Sequence, residues 1–79
     1  MPVKQHTLDV AKQILRDYDS FMPHMRWGGD EWVVTTGYKD FAHRLGVSME
    51  TARFSVRELD SHGDIVLLRG TPFRYRFPE

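Results

Sequence analysis

The stretch Asp40–Leu59, DFAHRLGVSMETARFSVREL, decides how the rest of the chain is read. Phe41, Ala42 and Leu45 recur at i, i+1 and i+4, which predicts a short helix with one apolar face. Gly46 ends it, because glycine accepts the left-handed conformation that a helix end requires. Val47 is an apolar plug in the turn. Ser48 then opens a second helix as its N-cap, with its hydroxyl accepting from an otherwise unpaired N–H of the first turn. Ala52, Val56 and Leu59, at i, i+4 and i+7, give that helix a buried face. The small side chain of Ala42 permits close packing of the two helices at a steep angle. The second helix extends to about His62, where Gly63 stops it.

Downstream, the hydrophobic period changes from helical to alternating. Ile65–Leu68 predicts a strand, and Arg69-Gly70-Thr71-Pro72 a turn. Phe73-Arg74-Tyr75-Arg76-Phe77 alternates strictly, with three aromatics on one side and two arginines on the other. The result is a β-hairpin with an apolar face toward the helices, and Pro78 blocks further pairing.

Upstream, Leu8, Ala11, Leu15 and Tyr18 form a stripe on a helix from Thr7 to about Ser20, with Ile14 beside it. Thr7 is the expected N-cap and Asp9 the first-turn acid. The stripe serves the core, or alternatively a dimer seam. Phe21–Glu31 reads as a loop, from Pro23, Gly28, Gly29 and Asp30. Its apolar residues Phe21, Met22, Met25 and Trp27 make it either a lid on the core or an exposed partner patch. Trp32–Thr35 is a short strand. Thr36 and Gly37 lead into the first helix of the central pair, Tyr38–Leu45.

At 79 residues the chain is expected to be one domain over 1–79. With 41% hydrophobic and 13% aromatic residues it can bury a core, though a domain of this size has little stability to spare. It has no cysteine, so disulfides and thiolate metal sites are excluded. The longest apolar run, Ile65–Leu68, is too short to span a membrane. Met1-Pro2-Val3-Lys4 carries no apolar leader. A cytoplasmic protein without membrane contact is the expectation. The eleven basic and eleven acidic residues cancel, yet seven basic residues face five acidic ones between Tyr38 and Phe77. This favours a local basic face over a generally basic protein.

The paired helices follow the sequence logic of a helix-turn-helix. With the hairpin after them, the run LGVSMETARFSVRELDSHGDIVLLRG resembles the winged helix-turn-helix of bacterial regulators, above all the GntR type. The features that carry the resemblance are Leu45-Gly46-Val47-Ser48, then Thr51 and Arg53, then Leu59 and Gly63 ahead of Ile65-Val66. The resemblance implies an α+β fold: three helices, a small antiparallel β-sheet and a C-terminal wing hairpin. It also implies sequence-specific binding of double-stranded DNA by a small transcriptional regulator, and it puts Ser48, Thr51 and Arg53 at contact positions.

The residues support that expectation in their own terms. The helix over 48–62 presents Met49, Glu50, Arg53, Phe54 and Arg57 outward, and an α-helix fits the major groove. The Arg53 fork matches guanine O6 and N7, while Ser48 and Thr51 offer hydroxyls. Arg57 suits a phosphate, or pairs with Asp60 along the helix. In the wing over 65–77, Arg69 beside Gly70 can enter a minor groove or clamp phosphate. Arg74 and Arg76 can meet the backbone, or serve only to protect an exposed strand. Lys39 and Arg44 are further phosphate candidates. A single module makes few contacts, so a homodimer on a two-fold site is expected.

Zero net charge, with Glu50 and Phe54 on the outward face, supports an alternative. In it the winged helix is a protein-interaction module, such as an accessory, adaptor or phage-type inhibitor, with Trp27, Trp32 and Phe54 as its anchors. The four histidines (His6, His24, His43, His62) lack a metal-ligand spacing. No phosphate loop, nucleophile elbow or carboxylate pair is present, so neither a cofactor nor an enzyme is expected.

Overall fold

The first helix, α1 (Gln5–Phe21), is fixed by its stripe. Leu8, Ala11, Leu15 and Tyr18 are all buried in the core. Of its other apolar residues, Ile14 packs against the core's edge, Val10 is half-buried and Phe21 is exposed at the C-terminal end. The helix starts earlier than Thr7: Lys4 is the N-cap, with no side-chain cap bond. A tertiary contact replaces the expected cap, since the Val3 N–H donates to Glu58 Oε1 at 2.8 Å and pins the chain before the first turn. Asp9 is not a first-turn acid; it accepts from Gln5 at 2.9 Å one turn along. These details come from a computed structural model that describes residues 3–78; Met1, Pro2 and Glu79 lie outside the described residues.

The expected loop Phe21–Glu31 is corrected. It contains β1 (His24–Trp27), which pairs antiparallel with β2 (Asp30–Val34) across the two-residue turn Gly28-Gly29. Both turn glycines have positive φ, 62° and 85°, the conformation that matches a tight hairpin to the right-handed twist of its strands. The element order therefore contains one strand more than the sequence suggests.

The central pair forms as read. α2 (Tyr38–Leu45) ends at Gly46, which is left-handed with φ 76°. α3 (Met49–Ser61) begins after Ser48, whose Oγ accepts from the Thr51 N–H at 3.1 Å. Phe41, Ala42, Ala52, Val56 and Leu59 are buried. Ser55 is buried with them, because its hydroxyl donates to the Thr51 carbonyl at 2.8 Å and leaves no unpaired polar group.

β3 (Val66–Leu68) and β4 (Arg74–Arg76) close the chain as an antiparallel hairpin, and the four-stranded sheet runs β1-β2-β4-β3. Ile65 stays outside β3 and plugs the core. The protein is thus an α+β domain, with three helices on one face of a small antiparallel sheet. Phe73 and Tyr75 point to the helices, and the Tyr75 hydroxyl donates to the Leu15 carbonyl of α1. Arg74 and Arg76 alternate to the opposite face. There Arg76 lies 5.3 Å from the Trp32 ring, and Arg74 Nη1 lies 3.8 Å from Met25 Sδ. The arginine stems cover apolar surface that no helix reaches.

Among the described residues, no helix is long and apolar enough to cross a membrane.

Candidate functional site

The β2–β4 register sets Val33 beside Tyr75 and Val34 beside Arg74. The Gly28-Gly29 turn therefore lies at one end of the sheet, and the β3–β4 tip, Arg69–Pro72, at the other. That tip faces the exposed side of α3. Between them runs an open groove of about 380 Å³. α3 contributes Arg53 and Arg57, the tip contributes Arg69, and no carboxylate lines the groove. Tyr38, at the start of α2, forms an aromatic wall by stacking on Phe73, with centroids 4.3 Å apart and rings 18° from parallel.

The groove's charge is not cancelled internally. Among the described residues, neither Arg53, Arg57 nor Arg69 has a carboxylate within ion-pairing distance. The Arg57–Asp60 pair does not form. Asp60 Oδ1 accepts instead from the Leu67 N–H at 3.2 Å, which ties α3 to β3. Arg53 lies over the Tyr38 ring, 5.6 Å from its centroid, in cation–π range. Burial pushes the Tyr38 hydroxyl's pKa up, while Arg57 and Arg53 pull against that shift. Both guanidiniums therefore act on the same wall.

The tip is braced from behind. Arg74 Nη2 donates to the Arg69 carbonyl at 2.8 Å. A β-carbon at Gly70 would stand 2.0 Å from that same nitrogen, so a side chain there would push the guanidinium out of this position. Arg74 thus reaches the site through Arg69, from the sheet's far face. Arg76 is on that face too, 3.7 Å from Asp30. Neither strand arginine lines the groove.

The other candidates separate by element. Met49 and Glu50 are exposed on the first turn of α3, and Met49 reaches the groove. The Ser48 hydroxyl donates to Thr51 Oγ1 at 3.1 Å, so the two hydroxyls satisfy each other as well as the cap. Lys39 is exposed on α2 in a separate depression with Asp40 and His43. Arg44 is engaged elsewhere: its Nε donates to Asp40 Oδ2 at 3.1 Å, and its guanidinium lies 5.5 Å from the Tyr18 ring. Tyr18 donates to the same carboxylate at 2.9 Å. That bond, followed by Arg44's, holds the Asp40 carboxyl below its usual range.

Of the aromatic anchors, Trp27 and Phe54 are 57% and 44% exposed. Trp32 is only 5% exposed, because it lies under Arg76 on a sheet face that the sequence did not reveal; it has no surface to offer a partner. Sequence reasoning missed Tyr38 as a wall of the site, since its stack with Phe73 joins residues far apart in the chain. Among the described residues, no cluster of three histidines or carboxylates could hold a metal ion.

Comparison with family models, curated proteins and solved structures gives no match.

Proposed function

We propose that this chain is a winged helix-turn-helix protein that binds double-stranded DNA as a small transcriptional regulator. In this reading α3 lies in the major groove and the β3–β4 tip is the wing. The observation that carries it is the groove with three guanidiniums and no carboxylate in a chain of zero net charge. Positive charge gathered on one side of a neutral molecule is an electrostatic footprint for a polyanion. The Leu45–Ser48 turn and its likeness to the GntR type support the same reading.

Roles follow from chemistry. Arg53, one turn into α3, reads a base edge, with guanine as the best match. Arg57, Arg69 and Lys39 contact phosphates, which positions the protein without specifying sequence. Arg44 and Arg74 act indirectly, by holding α2 and the tip in place, while Arg76, beside Asp30 and Trp32, takes no part. Two copies on a two-fold site, with recognition helices about 34 Å apart, would double the contacts.

The test is duplex binding followed by anisotropy across a salt series. Three phosphate contacts per chain predict a slope of about −2.7 in log K against log salt. Arg69→Ala should make it shallower by about 1, and Arg53→Ala should relax sequence preference by about 1–3 kcal/mol. A flat salt response would remove the proposal.

A second reading, a protein-interaction module such as an accessory, adaptor or phage-type inhibitor, is favoured by the exposure of Trp27 and Phe54. Absence of duplex binding at low salt, with a complex broken by Phe54→Ala, would support it.

A further inference from the structure

We infer that the groove between α3 and the β3–β4 tip is also a binding site for a small anion that joins an aromatic ring to phosphate, such as a free nucleoside diphosphate. Its volume of about 380 Å³ falls in the range of small-ligand sites, roughly 300–1,000 Å³. Its lining has two chemistries. Arg53, Arg57 and Arg69 supply forked donors that match phosphate oxygens, with no carboxylate to compete. Tyr38, backed by Phe73, and Met49 supply an apolar wall.

A bare phosphate would leave that wall unused, and a neutral ring would leave three cations unpaired. A ring with phosphate uses both. The Arg53 guanidinium, over Tyr38 at 5.6 Å, adds a planar surface on which a base can stack. Such a ligand covers the arginines assigned to DNA, so its occupancy excludes duplex. Only this last consequence rests on the DNA-binding reading; the site itself does not.

The experiment is calorimetric titration of the full chain with ADP, pyrophosphate and adenosine, without DNA. One ADP per chain should bind at least about tenfold more tightly than either fragment, because each lacks one of the two chemistries. Arg57→Ala and Arg69→Ala, on different elements, should each weaken ADP about tenfold. Arg26→Ala, on β1 with its side chain 73% exposed, should leave binding unchanged. Circular dichroism checks that each variant is folded. ADP binding no more tightly than pyrophosphate, or insensitive to both arginine variants, would overturn the site.

A second arm adds ADP to the labelled duplex complex. Release of duplex supports the shared groove, and full retention of duplex with ADP bound overturns it. Duplex binding with no ADP binding would overturn the inference alone. ADP binding with no duplex binding would support the site and remove the DNA reading.

Discussion

Gly70 has no β-carbon, and Arg74 occupies the space one would take. In its position on the Arg69 carbonyl, the Arg74 guanidinium would be displaced by a side chain at residue 70. Gly70 also has φ 150°, which L side chains rarely adopt. Gly70→Ala should therefore break the brace and strain the tip together, at a cost of about 1–3 kcal/mol in thermal unfolding. Duplex affinity should fall as well, since Arg69 loses its fixed position. An unchanged affinity would show that the tip does not take part. In the sequence, Gly70 reads only as a turn signal, and Arg74 as one of two outward arginines on a strand. Their relation depends on the hairpin's three-dimensional closure, which no local pattern encodes.

The elements themselves differ in how far they could be read. The α2–turn–α3 unit is legible because its determinants are local. Gly46 stops one helix, Ser48 caps the next, and the buried positions recur at helical spacing. Ser48→Ala should remove the cap bond to the Thr51 N–H and cost about 1 kcal/mol, measured by chemical denaturation. The same change should fray the first turn of α3, where Met49 faces the groove. The β1 strand was not legible. His24-Met25-Arg26-Trp27 is short, mixes charged and apolar residues, and lacks β-branched residues; its strand character comes from pairing with β2. The start of α1 was missed for a related reason. It is set by Val3 reaching Glu58, 55 residues away, and not by a capping side chain.

At the scale of the molecule, the two ends of the sheet are different. One end carries the arginine groove. The other carries the β1–β2 hairpin, which is stapled to α1 by His24. His24 Nδ1 lies 2.7 Å from Glu31, and Nε2 lies 3.0 Å from the Asp19 carbonyl and 3.5 Å from its carboxylate. Arg26 approaches Glu31 at 3.8 Å, and Arg16 and Arg76 line the same depression. The bond to Glu31, with smaller help from Asp19 and against a desolvation penalty, raises the imidazole's pKa above its ordinary range. A raised folded-state pKa means that the staple stabilises fully below the ordinary imidazole range. That contribution is lost as pH rises through the folded value. Amide exchange in β1 and β2 should therefore quicken, beyond its intrinsic rise, as pH climbs from the ordinary imidazole range through the raised folded value, and His24→Ala should abolish the excess.

The opposite end carries the central claim, which is that α3 and the β3–β4 tip together form the DNA-binding surface. The most direct test is an amide chemical-shift map of the labelled protein titrated with duplex at low salt. The prediction is a contiguous set of shifts over Ser48–Arg57 and Arg69–Thr71, with the Trp27 indole unmoved. Shifts centred on Trp27 and the Gly28-Gly29 turn, or none at all, would contradict it.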